Sequence, residues 1–412
     1  MRIIHVSYSD TGGAGRAAYR IHCSLLDSGI ESKMQVMYSV SGDYTVDSLT
    51  RNIKDKILQK SRELPAKLLS KSGSVENSII HSIAILPSGL PAILNNSDAD
   101  VIHLHWVGRE LLSVKDISKI NKPIVWTFHD MWPFCGAEHV SYDNRYKDGY
   151  SAIKKSSYST GFDLNKWTWE RKKKHWNKPI EIVTPSRWMA ECVQESALMS
   201  DWPVTVIPNP IDARKWEPIE KNVARKILGY QSDCLLVAFG SYGENQQYHK
   251  GADLLKLALA HIKESNKQDV KLVVIGQNPP IVPDGYGFPA IYEGFLHDDI
   301  SLRLLYSAVD AIIIPSRIES FSQMASEAHV CGTPVIAFNV CGLRDIVDNR
   351  ITGYLANAFD AEDFAEGIRW VLSDKGRLTA LGQQARIKAL NKFDKAVVSQ
   401  QYQSIYRKVI EH

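Results

Sequence analysis

The chain lacks any uninterrupted apolar run of the roughly 18 residues a membrane-spanning helix needs, although 44% of its 412 residues are hydrophobic. It also lacks paired cysteines. Cys23, Cys135, Cys192, Cys234, Cys331 and Cys341 are scattered with no C-x2-C spacing, which argues against a disulfide framework or a structural zinc site and leaves buried thiols as the expectation. Net charge is small, +3 from 49 basic and 46 acidic side chains, too little to make nucleic acid the main partner. There is no low-complexity tail and no repeat of solenoid period. The opening MRIIHVSYSD reads as a strand rather than a signal peptide, so a cytoplasmic location is expected.

What is present is enough apolar sequence for two globular domains. Apolar runs at 2–7, 33–38, 100–104, 123–128 and 180–184 alternate with helical patterns at 14–28, 110–120 and 186–197. A second series follows, with strands at 234–239, 270–275, 290–294, 310–314 and 333–337 and helices at 251–264, 299–308 and 322–331. Such alternation predicts two parallel, doubly wound α/β sheets. Pro208, Pro210 and Pro218 interrupt VTVIPNPIDARKWEP, which places an N-terminal domain at 1–206, a linker at 207–218 and a C-terminal domain at 219–392. The last helical pattern, 393–412, is expected to cross back to the first domain.

Charge is unevenly spread. Residues 51–72 hold seven Lys/Arg against two acids, with Ile53, Ile57, Leu58, Leu64, Leu68 and Leu69 at helical spacing, the pattern of a helix lying on an anionic bilayer or of a solvated helix face. Residues 145–178 hold ten Lys/Arg against three acids, including Arg171 to Lys174, with Trp167, Trp169 and Trp176 nearby.

The densest chemical signal is IIIPSRIESFSQMASEAHVCGTPVIAFN, residues 312–339. It predicts a buried strand, a loop at Pro315–Ser320 and a helix over Phe321–Cys331, so that Glu319 sits at the helix entrance and Glu327 two turns inside. The C-terminal edge of an open α/β sheet binds ligands, and the N–H groups of a helix start suit a diphosphate. Two spaced carboxylates above it suit the hydroxyls of a ribose and a sugar. Glu319-Ser320-Phe321, Glu327-Ala328 and Gly332-Thr333-Pro334-Val335-Ile336-Ala337 resemble the donor-site signature of the retaining family four of GT-B glycosyltransferases. Val206 to Asp212, Gly342 to Val347 and Thr352 to Leu355 extend the resemblance over nearly the full length.

The resemblance implies two Rossmann-like domains facing across a cleft, a nucleotide diphosphate sugar as donor, UDP before GDP, and no metal or other cofactor. It implies that Glu327 bonds the nucleotide ribose, that Glu319 lies near the hydroxyls of the transferred sugar, and that the backbone at Phe321, Ser322 and Gln323 meets the diphosphate. Gly276 would open the loop that holds the base. Lys250 matches the family lysine that stabilises the leaving phosphate. The family arginine is missing from Phe239 to Tyr248, leaving His249, Arg317 and Arg344 as substitutes. Domain closure about the linker would complete the site.

In the N-terminal half, Gly13-Ala14-Gly15-Arg16-Ala17-Ala18 also fits the looser dinucleotide fingerprint, but no acidic residue ends the second strand. The resemblance makes this the loop facing donor phosphate, through Gly13, and acceptor phosphate, through Arg16. His129, just past the strand ending at Phe128, matches a family histidine that touches the transferred sugar. His105 and Glu138, with His139, are candidate acceptor-side groups. Asp98-Ala99-Asp100 has the form by which other transferases hold a divalent metal, but it precedes a strand, and Asp100 reads as a turn residue.

The Gly-Gly-Ala-Gly loop and His-Asp-Met-Trp-Pro string are similar to those of transferases of bacterial surface polysaccharide assembly, of the O-antigen or colanic-acid type. That implies a polyprenyl-diphosphate-linked saccharide acceptor and peripheral attachment of the basic N-domain segments to the cytoplasmic face of the inner membrane. Three other readings stay open: a nucleotide-sugar epimerase on the same architecture, a non-catalytic sugar-nucleotide-binding partner in an assembly complex, and an NAD-dependent dehydrogenase built on Gly13–Ala18.

Overall fold

The computed structural model describes residues 1–72, 79–151, 162–240, 248–263, 270–281 and 285–411, with backbone alone at 66–72 and 263. They divide into two compact units, Met1–Pro210 with Lys395–His412, and Ile211–Asp394.

The first unit runs β1 (Arg2–Ser9), α1 (Gly12–Asp27), β2 (Glu31–Tyr38), β3 (Val46–Ser48), α2 (Ile53–Ser72), α3 (Leu90–Asn95), β4 (Val101–Leu104), α4 (Val114–Ile117), β5 (Ile124–Thr127), α5 (Leu164–His175), β6 (Glu181–Thr184), α6 (Arg187–Gln194) and β7 (Val204–Val206). Its described strands form one parallel sheet in the order β3-β2-β1-β4-β5-β6-β7. The central strands are buried on both faces, which is why they read as apolar runs rather than as alternation.

The second unit runs α7 (Lys221–Leu228), β8 (Leu235–Gly240), α8 (Ala252–Lys263), β9 (Val270–Ile275), β10 (Ala290–Tyr292), α9 (Asp299–Ala308), β11 (Ala311–Ile314), α10 (Gln323–Val330), β12 (Val335–Phe338), α11 (Leu343–Ile346), β13 (Gly353–Ala356), α12 (Ala361–Leu372) and α13 (Lys375–Phe393). Its sheet is also parallel, in the order β10-β9-β8-β11-β12-β13. At its base Arg225 and Asp310 form a buried ion pair at 2.7 Å. Arg225 also donates to the carbonyls of Ala308, Ser232 and Cys234, and the Leu236 amide donates to Asp310, so the charges leave few polar atoms unmatched.

The chain ends with α14 (Lys395–Glu411), which belongs to the first unit. Val398, Tyr402 and Tyr406 pack with Ile21 and Leu25 of α1, the Tyr406 hydroxyl meets His103 Nδ1 at 2.7 Å, and the Tyr402 hydroxyl meets Thr127.

Two sequence readings are corrected, those at 110–120 and 171–174, and the segment read as a linker is seen to be packed. The helix read over 110–120 shrinks to α4, because Arg109 and Glu110 sit at φ +51° and +60° and a helix starts only at the Ser113–Asp116 capping box. The segment read as a linker, 207–218, is packed: Ile207 is buried in the first unit, and Ile211 and Trp216 in the second. Ile211 and Asp394 pair as a parallel bridge, so the chain enters and leaves the second unit side by side. The run Arg171–Lys174 is not a uniformly basic surface. Lys172 is buried and donates to the carbonyls of Trp132, Cys135 and Gly136, while Arg171 donates to Ile83 and Ala84. Part of 145–178, residues 152–161, lies outside the described residues.

Candidate active site

In the second unit the strand order reverses between β8 and β11, the topological switch point at whose C-terminal edge open α/β sheets take ligands. The segment after β8 re-enters the described chain at Tyr248, leads through a short turn to Lys250 and starts α8 after Gly251. Gly251 has φ +68°, and a Cβ there would collide with the Pro315 carbonyl, so only glycine lets this turn lie against the loop after β11. Arg317 N donates to His249 O at 2.8 Å and stitches the two loops together. Across that seam Lys250 Nζ meets Glu319 Oε2 at 2.7 Å, and Ser316 Oγ donates to the same oxygen at 3.3 Å.

The helix is shorter than read, Gln323–Val330 instead of 321–331. Ser322 is its N-cap, accepting from the Ala325 amide, while Phe321 is buried edge-on against Phe393. The first N–H groups of such a helix have no intrahelical carbonyl. Glu327, 2% exposed, accepts from the Tyr306 hydroxyl at 3.2 Å. Gly276 closes β9 at φ +88°, its amide donating to Gly294 O.

The three substitutes for the family arginine have different environments. Burial, then the neighbouring Lys250, pushes the His249 imidazole down to about 4, so it carries no positive charge at neutral pH. Arg317 is held bidentate by Asp253 at 2.7 and 2.5 Å and stacks on Tyr248. Arg344 Nε donates to the Cys341 carbonyl. The unusual loop Ser241–Gln247 lies outside the described residues. Sequence reading missed Tyr306, Ser316 and Asp253, because nothing in a single chain marks which neutral or acidic side chain will meet a distant partner.

In the first unit the corresponding reversal falls between β1 and β4. Asp10, buried after β1, accepts from the amides of Val40 and Ser41 and from Ser39 Oγ, tying the ends of β1 and β2. A Cβ on Gly15 would collide with the Ser9 carbonyl, whereas one on Gly13 would meet nothing; Gly15 is thus demanded by close packing of α1 and Gly13 borders open space. Arg16 is partly exposed in the first turn of α1. His129 follows β5, with its Nε2 3.1 Å from His105 Nδ1, and its burial among packed rings pushes it down to about 4.

Two of the acceptor-side candidates are buried. His105 is 2% exposed and bonded at both nitrogens, to His5 and His129, so it is an interior link. Glu138 is 3% exposed and accepts from the Tyr150 hydroxyl; burial pushes its carboxyl up to about 7. His139 is buried too, spanning Asp130 and Ser82. His5, His103 and His105 lie close enough to suggest a metal site. His103, however, is bonded at both nitrogens, to Tyr406 and Thr127, and so is His105, to His5 and His129, so that of the three rings only His5, at Nε2, keeps an unpartnered nitrogen. Asp98 and Asp100 both engage Arg2, through its guanidinium and its amide, at the opposite edge of the sheet from His129.

Fold and site together define a class: two Rossmann-like parallel-sheet units with the GT-B glycosyltransferase fold. Residues 234–374 match the family described as Glycosyl transferases group 1, and residues 43–215 match Glycosyltransferase Family 4. A D-inositol 3-phosphate glycosyltransferase of Segniliparus rotundus is 32% identical over 191 residues, 44% of this chain and 41% of that protein. The chain thus aligns with less than half the length of such relatives. Among solved structures, sucrose-phosphate synthase of Thermosynechococcus elongatus superposes with a TM-score of 0.68 at 18% identity, covering 100% of both chains. Anabaena HepE in complex with UDP and glucose does so at 0.65 and 17%, covering 99% of this chain and 100% of that one.

Proposed function

We propose that the protein is a retaining, metal-independent glycosyltransferase that moves a sugar from a nucleotide diphosphate sugar, with UDP as the preferred nucleotide, to a hydroxyl of a polyprenyl-diphosphate-linked saccharide. The observation that carries this reading is the Lys250–Glu319 pair at the switch point of the second unit. A cation at this edge suits the charge a leaving diphosphate gains, and the carboxylate beside it suits sugar hydroxyls. Glu327, buried with one oxygen on Tyr306, suits a ribose. The HepE complexes with UDP and UDP-glucose favour a uridine donor.

In the reaction the bond from the anomeric carbon to the diphosphate breaks and a bond to the acceptor oxygen forms on the same face. The acceptor proton passes to the departing phosphate, so the protein contributes positioning and charge. Arg16, partly exposed at the start of α1, suits an acceptor phosphate. D-Inositol 3-phosphate glycosyltransferases among the relatives favour a second reading, a small phosphorylated acceptor.

Attachment to the cytoplasmic face of an anionic membrane falls to α2. Gln59 and Glu63 of this helix face inward, to Arg109 O and the Tyr8 hydroxyl, while Ile53, Ile57 and Leu64 are exposed on the opposite face with Lys60. Among the described residues no helix is long and apolar enough to cross a membrane.

The test is a thermal-shift series with UDP, GDP, ADP and their sugar conjugates, without metal, on the wild type and Glu327→Ala. One nucleotide raising the melting temperature of the wild type but much less that of the variant supports the reading. No response from intact protein overturns it; product analysis separately distinguishes an epimerase, which would convert the sugar without an acceptor.

A further inference from the structure

The loop after β4 carries two consecutive residues, Arg109 and Glu110, at φ +51° and +60°, in the left-handed region that glycine enters freely and other residues enter at a cost. Strain of this kind persists where the surroundings impose it, and it gathers at ligand sites. Here the surroundings are hydrogen bonds. The Arg109 amide donates to Ser82 Oγ at 3.1 Å, Gln59 of α2 donates to the Arg109 carbonyl at 3.0 Å, and Arg62 of the same helix donates to the Glu110 carbonyl at 3.2 Å. Ser82 is held in turn. Its Oγ lies 2.8 Å from His139 Nε2, and His139 Nδ1 lies 2.6 Å from Asp130 Oδ2, which also accepts from Trp106 Nε1.

The two strained residues use their side chains differently. Glu110 is buried and accepts from the amides of Ile85 and Leu86, so the fold itself employs its carboxylate. Arg109 is exposed. Its guanidinium lies over the Tyr8 ring, 5.4 Å from the centroid, and forms no ion pair among the described residues. Tyr8 is near the end of β1; its amide donates to Trp106 O, and its hydroxyl donates to Glu63 at 2.9 Å. The guanidinium therefore stands at the C-terminal ends of β1 and β4, between which the strand order of this unit reverses and where open α/β sheets take ligands.

A guanidinium presents a fork of donors matched to phosphate oxygens. We propose that Arg109 binds the phosphate of the acceptor, and that its left-handed backbone, locked by Ser82 and Gln59, is what aims it over the switch point of the first unit. The assignment rests on the transferase reading above and adds a second arginine to Arg16. The same chemistry serves a small phosphomonoester or a lipid-linked diphosphate, and the arms of the experiment separate the two.

The experiment is an NMR titration of the full chain labelled with 15N-arginine, at constant ionic strength and with excess UDP to occupy the donor site. One arm adds inositol 3-phosphate and the other farnesyl diphosphate, a short stand-in for a lipid diphosphate. The Arg109 Nε–H resonance is assigned by its loss in Arg109→Gly. It is expected to shift saturably in one arm or both, and the responding arm names the source of the phosphate; a resonance unmoved in both overturns the proposal. By calorimetry, the responding probe should bind Arg109→Gly at least about tenfold more weakly, the loss of one charge-assisted hydrogen bond; wild-type affinity overturns it. Glycine relieves the positive φ, so this variant should melt no earlier than the wild type. Should it melt early, Arg109→Asn, which also tolerates the left-handed region, must show the same loss of affinity. In transfer assays the acceptor KM should rise about tenfold with the donor KM within about twofold, a split that a purely structural role would not produce. The Arg109 resonance reports phosphate binding even if no sugar is transferred, so failure of the transferase reading and failure of this one are distinguishable.

Discussion

Lys250 Nζ and Glu319 Oε2, 2.7 Å apart, join the loops that follow β8 and β11, the two strands flanking the reversal of strand order in the second unit. The lysine is about two-fifths exposed and the glutamate one-sixth. A pair so placed contributes little to stability, about 0 to 1 kcal/mol, so its worth lies in what it offers a ligand.

Lys250→Ala should therefore leave the melting temperature nearly unchanged and lower kcat by about 10² to 10³, the range for removing one preorganised charge-stabilising group. Steady-state transfer assays beside thermal melts check this. A variant that melts early and keeps its kcat would make the pair structural.

Gly251→Ala should act on the same lysine indirectly. The positive φ and the Pro315 carbonyl both exclude a Cβ, so the turn must shift, at a cost of about 1 to 3 kcal/mol. Lower urea stability with weakened nucleotide binding is expected; wild-type values in both would show that the seam between the loops is pliable.

Arg225→Ala should destabilise the second unit by about 1 to 3 kcal/mol, because buried hydrogen bonds to Asp310 and to the Ala308, Ser232 and Cys234 carbonyls are lost while Lys221, 2.8 Å from Asp310, still pairs its charge. Urea unfolding followed by tryptophan fluorescence measures it. The paired change to apolar residues should recover most of the loss, since the charges then leave together.

The buried imidazoles should make stability fall below pH 6.5, opposed in part by Glu138, whose raised carboxyl takes up its proton in the folded chain first, while the lowered Lys172 makes stability rise with pH above about 7. Burial first of all lowers His5, His103 and His105 well below their ordinary value, His22 to about 4 and His329 to about 3. Below pH 6.5 the unfolded chain binds protons on these rings and the folded chain does not. Each fully buried ring then withdraws about 1.4 kcal/mol per pH unit until its folded value is reached. Melting between pH 8 and pH 5 checks the sign, and His329→Leu, which removes a ring with neither nitrogen partnered, should make the decline shallower by one proton.

Some of this was legible along the chain. In the second unit β8, α8, β9, α9 and β11 were read nearly to their ends, because the strands are short apolar runs bounded by turns and α9 carries a cap, Asp298, whereas α7, α11 and β13 were not read. The strands β3 and β7 were not read, since three residues hold no period, and the equally short β10 was read only as part of a longer segment, 290–294. Lys172 looked like one more solvated cation in a basic run; its burial depends on three carbonyls of the segment after β5, which periodicity does not register.

By itself the sequence determined the alternation of strands and helices, and with it two parallel sheets whose ligand edges follow from where strand order must reverse. It also determined the residue types at those edges: Lys250, Glu319, Glu327 and His129. Tertiary structure alone decided which of these meet. The contact of Lys250 with Glu319 spans 69 positions and that of His105 with His129 spans 24, while His103 meets Tyr406 across 303. Hydrogen bonds and ion pairs form between atoms a few ångströms apart in space, and only packing sets that distance. The same packing withdrew Glu138 and His105 from solvent and turned apparent surface groups into parts of the core.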